Sequence, residues 1–130
     1  MNLIEQLAFH LEFLGLGLCA TEERDGDVYW GHMPDSPDNA VCVFSTDSGV
    51  PGGAAGARVQ VYARGAVGDV RTPYERSVAI TEALDGYMGF LSGDGTGVRI
   101  ETVNSAQGVG TDTRGRHLFS SNYRVFYCDD

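Results

Sequence analysis

The chain has 130 residues, of which 42% are hydrophobic and 10% aromatic, a composition sufficient for one domain with a hydrophobic core. Its formal net charge of −9 would repel a phosphate backbone, which argues against direct nucleic-acid binding. All nine basic residues are arginine, so the sequence excludes mechanisms that need lysine, such as the Walker-type phosphate-binding loop or a pyridoxal Schiff base. A GC-rich genome would produce the same preference for arginine.

The cysteines and the N-terminal segment bear on the cellular compartment. Cys19, Cys42 and Cys128 are far apart and form no CxxC pair, so we expect neither a disulfide framework nor a zinc site, and a reducing compartment. The apolar N-terminal run contains Glu5 and Glu12 and has no basic residues before it. We therefore expect no signal peptide, no membrane span, and synthesis in the cytoplasm.

The first predicted element is a helix over about residues 3–14. Asn2 followed by Glu5 resembles a capping box, and a leucine stripe follows at helical spacing, formed by Leu3, Leu7, Leu11 and Leu14. The opposite side of this helix carries a second apolar stripe, formed by Phe9, Phe13 and Leu16. Such a helix is either buried between layers or shares its second stripe with another chain.

Three strands are predicted next. The first lies near residues 27–33 after an Asp-Gly turn, and the second at about 40–46. A glycine-rich loop at 49–57 leads to the third, "ARVQVYARG" at 57–65. Alternation places one row towards the core, Val59, Val61 and Ala63, and the other row outwards, Arg58, Gln60, Tyr62 and Arg64.

A second helix is predicted over about residues 73–85. Thr72 and Glu75 form a capping box, with Pro73 at the first helical position and Gly86 as the stop. The segment "SGDGTG" at 92–97 is predicted to be a turn, and two strands follow near 97–104 and 118–127 with a polar loop between them. This order predicts an α+β fold in a single domain, residues 1–130, with a largely antiparallel or mixed sheet of about five strands and two main helices packed on it.

The sequence contains no pattern typical of a catalytic, metal or cofactor site. His10, His32 and His117 have no metal-ligand spacing, and His10 is expected at the edge of the first helix. There is no GxSxG nucleophile motif, and the acidic segments do not match a calcium-binding loop. We therefore expect no catalytic residue, no metal and no cofactor, and a protein that is not an enzyme.

The outward row of the third strand is the remaining candidate for function. Arginine suits planar pairing with the carboxylates of another protein, and further copies of this acidic chain could supply them. The alternative is a solvated face with pairs inside the chain. If the row meets a partner, Arg64→Glu is expected to leave an intact monomer that assembles poorly.

The layout, together with "VQVYARG" and "TPYERSVAITEALDG", resembles the tail-terminator proteins of long-tailed bacteriophages, many of them labelled minor capsid proteins. The sharpest part of the resemblance covers residues 59–86. It implies a small α+β subunit that assembles into a hexameric ring, with the tail-tube protein and the head-completion protein as neighbours. That ring caps the tail tube, ends its polymerisation and presents the head-joining surface.

The resemblance also implies a location at the head-proximal end of the virion tail after assembly in the host cytoplasm. The resemblance further implies that DNA passes through such a ring without specific binding. No site residue is transferred from the family, and our own candidates for the subunit or partner interface are Arg58, Gln60, Tyr62, Arg64, Phe9 and Phe13. The alternatives are another neck protein, of the head-completion or stopper type, and a small enzyme or ligand-binding domain.

Overall fold

Six strands and two helices form the fold in a computed structural model, which describes residues 2–46, 56–92 and 97–127. In chain order they are α1 (Leu3–Phe13), β1 (Val28–Trp30), β2 (Ala40–Ser45), β3 (Ala57–Val67), α2 (Arg71–Leu84), β4 (Met88–Phe90), β5 (Gly97–Thr111) and β6 (Arg116–Tyr127). The sheet order is β1-β2-β3-β6-β5-β4, with β1 and β2 parallel and every other pair antiparallel. The predicted α+β fold with a mixed sheet is confirmed, with six strands rather than five.

Both helices pack against the same face of this sheet. The inward row of β3 is confirmed, because Val59, Val61 and Ala63 are all buried. They share one hydrophobic core with leucines of α1, with Ile80 and Leu84 of α2, and with apolar residues of the other strands. Since each fully buried aliphatic side chain contributes about 1.5–3 kcal/mol, this one-sided contact dominates the stability of the fold.

The first helix begins as its sequence predicts. The Asn2 side-chain oxygen accepts a hydrogen bond from the Glu5 backbone N–H at 2.8 Å, which satisfies one of the free N–H groups of the first turn. Leu3, Leu7 and Leu11 are buried against the sheet. The helix ends at Phe13, and Gly15 then adopts a positive φ of 78° that suits glycine.

The predicted cap of the second helix is wrong. The helix begins at Arg71, and the Asp69 carboxylate accepts a hydrogen bond from the Thr72 backbone N–H at 3.1 Å. The acceptor thus lies three residues before the position that we expected to be the cap. The entry of this helix also depends on Gly65, since a Cβ there would lie 2.6 Å from Cδ of Pro73.

The hairpin of β5 and β6 is longer than predicted. The polar segment expected to be a loop is strand as far as Thr111 and again from Arg116. Its inner side is held to α2 by hydroxyl contacts, since Ser105 Oγ lies 2.7 Å from Thr81 Oγ1 and Thr81 Oγ1 lies 2.6 Å from Tyr123 Oη. On the β5 side, residues 107–111 are all exposed, so this part of the strand carries no apolar alternation and gave no strand signal.

The remaining comparisons with the prediction concern a short edge strand, the segments outside the described residues and the absence of a membrane span within the described part of the chain. β4 was not predicted, because three residues are too few to produce a periodic signal. Residues 49–55 of the glycine-rich loop, residues 93–96 of the predicted turn and Cys128 lie outside the described residues. Within the part of the chain that is described, neither helix is long and apolar enough to span a membrane.

The inward orientation of β3 can be tested with Val61→Asp. Val61 is 2% exposed, and an unpaired carboxylate in this core should reduce the free energy of unfolding by about 3–5 kcal/mol. Val67→Asp, at a 65% exposed position on the same strand, is the matched control and should change it little. Urea unfolding followed by circular dichroism measures both, and equal stability of the two variants would contradict the assigned faces.

Candidate interaction surfaces

The four polar residues of β3 lie on the outer face of the sheet, opposite the helices. Strand pairing places Arg58 beside Arg124 of β6, Gln60 beside Asn122, and Tyr62 beside Ser120. Arg58 is exposed, whereas Gln60 and Tyr62 are half-buried, with Tyr62 in an edge-to-face contact with Phe44 at 5.6 Å. This half of the outer face is covered by neither helix.

The expectation that Arg64 faces solvent or a partner is wrong. Arg64 belongs to the same row but is only 4% exposed, because the connection between β1 and β2 folds over that end of the sheet. Its guanidinium donates to the backbone carbonyls of Pro37 at 2.7 Å and Asp38 at 3.1 Å. Its donors therefore hold this connection in place within the subunit.

A second arginine, which the sequence analysis did not single out, fixes the same connection. Arg116 is 3% exposed and donates to the carboxylates of Asp112 at 2.8 Å, Asp35 at 2.9 Å and Asp38 at 3.0 Å. It also donates to the Asp35 carbonyl at 2.6 Å. The backbone N–H of Arg116 and the other donors around Asp112 lower the pKa of that carboxyl group, which favours its charged form beside the Arg116 guanidinium. The sequence pattern did not indicate this network, because the three aspartates are spread along the chain and only folding brings them to one buried guanidinium group.

The uncovered part of the outer face contains a small basic pocket. Arg58 and Arg124 lie directly opposite each other on neighbouring strands, and Asn122 donates to Asn104 at 2.7 Å beside them. The pocket encloses about 340 Å³. On the other side of β6, Glu101 of β5 lies directly opposite Arg124, so a carboxylate of the chain itself is part of the same row.

The two aromatic candidates of α1 lie elsewhere in the fold. Phe13 is 73% exposed at the end of the helix, and Phe9 is half-buried against the core. The second apolar stripe is therefore not buried between layers of this chain. Phe9 and the row on β3 do not form one continuous surface, because the sheet lies between them.

Phe9 lines a groove at the β1 edge of the sheet. The groove has a volume of about 770 Å³, and aromatic side chains of Phe9, Tyr29 and Trp30 form part of its lining. Its acidic members are Glu5, Glu22 and Glu23, and the described residues that line it include no arginine. We call it the acidic groove. This groove was not evident from the sequence, because its acidic residues come from a helix and from a separate turn.

The described histidines and cysteines show no arrangement for nucleophilic or metal chemistry. Among the residues that the structure describes, no cluster of His, Cys, Asp and Glu could hold a metal ion. Cys19 and Cys42 are free and buried, and burial raises the pKa of the Cys42 thiol to about 12, which keeps it protonated.

His10 lies in the core rather than at the helix edge, where the sequence analysis expected it. It is 1% exposed, and its ring packs edge-on against Tyr87 at 4.8 Å. Its Nδ1 accepts a hydrogen bond from the Ser92 backbone N–H at 3.2 Å, and its Nε2 has no hydrogen-bond partner among the described residues. Burial lowers the pKa of His10, so it is neutral in the folded chain at neutral pH.

Comparisons with known proteins identify no family. No protein-family model matches the chain. No curated protein matches it either. One solved structure, of a protein without a functional name, aligns with 80% of this chain and 82% of its own at 19% identity and a TM-score of 0.47. A likeness this loose carries no argument about fold or function.

The burial of Arg64 changes the result expected for Arg64→Glu. A glutamate there would face the Pro37 and Asp38 carbonyls without a donor, so we expect a loss of about 3 kcal/mol or more in the free energy of unfolding. Arg58→Glu is the matched control, on the same strand and face but exposed, and should remain folded. Thermal unfolding compares them, and two equally stable variants would show that Arg64 does not fix the connection.

The buried imidazole of His10 predicts a pH dependence of stability. Because its folded pKa lies below the ordinary value of 6.5, the unfolded chain takes up a proton first as the pH falls. The free energy of unfolding should therefore be highest above pH 6.5 and fall below it, by at most about 1.4 kcal/mol per pH unit. The His10→Asn variant keeps an acceptor for the Ser92 backbone N–H, and an asparagine side chain does not titrate in this pH range.

Urea unfolding between pH 7.5 and about 5.5 measures this slope, because the ordinary carboxyl pKa values lie below that window. The slope should shrink in His10→Asn and persist in His32→Asn, whose imidazole is exposed. An unchanged slope in His10→Asn would mean that another group causes the pH dependence.

Proposed function

We propose that this chain is a structural subunit of a bacteriophage tail, of the tail-terminator type. In this proposal, copies assemble into a ring, six being the expected number, that caps the tail tube, ends its polymerisation and forms the head-joining surface. The chain acts there without catalysis and without a cofactor. The resemblance of residues 59–86 to that class of protein supplies the starting point.

The observation that carries the proposal is the presence of two different candidate surfaces on one small subunit. One is the uncovered outer face around Arg58, Gln60 and Tyr62, and the other is the acidic groove beside Phe9. A closed ring needs two unlike surfaces, because each subunit contacts its two neighbours head to tail. A symmetric dimer would need only one.

The composition of these surfaces also favours contacts between proteins. Aromatic side chains and arginine are enriched where proteins meet. The β4 edge adds Met88 and Phe90, each 69% exposed, and Phe13 is 73% exposed at the end of α1. Apolar side chains this exposed are suitable contacts for the tail-tube protein or for a head-completion protein.

The charge of the chain fits a ring through which DNA passes. With a formal net charge of −9, the subunit would repel the phosphate backbone on average. DNA could then move through the channel without being held by specific contacts. DNA also passes other neck proteins, of the head-completion or stopper type, so charge does not distinguish them from a tail terminator. Binding to the end of the tail tube does.

The acidic groove favours a second candidate from a different class, a ligand-binding domain. Its volume of about 770 Å³ is within the range of small-molecule sites, and its glutamates and aromatic rings suit a cationic ligand. Trp30 is the only tryptophan of the chain and lines this groove. Saturable quenching of its fluorescence by a small cation such as arginine methyl ester, with the protein monomeric throughout, would favour this candidate.

The ring proposal predicts assembly that is measurable in solution. Light scattering should detect a species of six times 13.9 kDa, about 83 kDa, for the chain alone, or a complex containing six copies after addition of the tail-tube protein of the same phage. Electron microscopy should then show a ring at one end of each tube. The proposal would be contradicted if the chain stayed monomeric in both samples and the tubes carried no ring and continued to grow.

A further inference from the structure

We propose that residues 32–39, in the connection between β1 and β2, form a strap that opens as a unit while the sheet and the core stay folded. We call this segment the strap. Opening uncovers Cys42 and the guanidinium groups of Arg64 and Arg116 on the outer face of the sheet. The inference concerns the single subunit and does not depend on the proposed ring.

The strap has no hydrophobic anchor in the fold. Residues 32–39 are all exposed or half-buried, and none of them belongs to the core that the helices share with the sheet. Because burial of apolar surface is the main favourable term in folding, detaching the strap sacrifices little of it. A segment with few buried apolar contacts opens locally at a lower free energy than the whole domain.

Contacts with two arginines hold the strap over the sheet. Arg64 donates to the carbonyls of Pro37 and Asp38. Arg116 donates to the carbonyl of Asp35 and to the carboxylates of Asp35 and Asp38. These two carboxylate side chains are 67% and 49% exposed, so water already reaches the strap side of each ion pair. Pairs of this kind are weaker than fully buried ones, and opening returns the buried guanidinium groups to water.

The sheet keeps its own contacts when the strap opens. β3 pairs with β2 on one side and with β6 on the other, and the hydrophobic core lies on the opposite face. Arg116 retains the carboxylate of Asp112 at 2.8 Å, which lies in the turn after β5 and not in the strap. The open subunit therefore stays folded, and the internal half of its outer face becomes continuous with the outward half.

Cys42 reports whether the strap is closed. It pairs with Tyr62 of the outward row and is 0% exposed, yet it does not belong to the hydrophobic core. Burial raises the pKa of its thiol to about 12, and the His32 backbone and the Arg64 guanidinium partly offset this effect, which places both groups near the sulfur. The strap thus helps to cover the thiol, and a thiol reagent reaches it when the strap opens.

Labelling with N-ethylmaleimide tests the inference. Cys42 is the only cysteine between Arg24 and Arg58, so one tryptic peptide reports its modification by mass spectrometry. Each labelling rate is divided by the rate for the same variant unfolded in urea, which removes differences in thiol reactivity. Urea unfolding followed by circular dichroism gives the rate of labelling that global unfolding alone permits.

Three variants separate opening of the strap from unfolding of the chain. The strap variant carries Asp35→Asn and Asp38→Asn, which remove the charged acceptors of Arg116 and keep the backbone carbonyls. Its matched control carries Glu22→Gln and Glu23→Gln, which remove two carboxylates from another exposed turn. The core variant is Ile80→Val, at a 1% exposed position on the opposite side of the sheet.

We expect labelling of Cys42 in the unmodified chain to be at least about tenfold faster than global unfolding permits. The strap variant should be labelled at least about tenfold faster again, because hydrogen bonds to charged groups are lost. Ile80→Val should unfold at a lower urea concentration and leave the labelling rate unchanged, since its cavity destabilises the core and not the strap. The matched control should behave as the unmodified chain.

Either of two results overturns the inference. If Cys42 is labelled only as fast as global unfolding permits, and Ile80→Val accelerates the labelling, the strap does not open separately. If the strap variant is labelled at the rate of the unmodified chain, Asp35 and Asp38 do not hold the strap closed. Neither result depends on assembly, so this inference and the proposed ring fail independently.

Discussion

Both helices pack through hydrophobic contacts against one face of the sheet. The polar side chains of the opposite face must therefore find their partners elsewhere. At one end of that face, the connection between β1 and β2 folds back over the strands, and Arg64 and Arg116 hold it there through carbonyls and carboxylates. At the other end, Arg58 and Arg124 lie in a part of the face that no helix covers. The one-sided core therefore divides a single polar face into an internal half and an outward half.

This division explains why arginines of similar appearance have different roles. Arg64 and Arg58 occupy the same row of β3, yet Arg64 is 4% exposed and Arg58 is an exposed residue. The difference comes from what covers each position and not from the strand itself. Our account of the subunit contact depends on the outward half, and our account of stability depends on the internal half. Reversing a charge should consequently affect assembly in one half and folding in the other.

The sequence predicted the fold class, the start of α1 and the buried row of β3, because each is encoded by residues close together in the chain. It did not predict the site of Arg64, since the residues that cover it are 26 and 27 positions away. The Arg116 network spans 81 residues from Asp35, and the acidic groove likewise combines distant segments. Short edge strands such as β4 and polar hairpin ends give no periodic signal. The features that the sequence did not predict are therefore those that depend on tertiary contacts.

Hydrogen exchange of assembled and monomeric chain tests the central claim most directly, namely that two unlike surfaces of one subunit meet in the assembly. Our account predicts slower exchange on assembly in two separate regions, residues 20–32 around the acidic groove and the paired segments 58–62 and 120–126 of the outer face. Protection confined to one of the two regions, or protection of neither while the chain assembles through other residues, would contradict it.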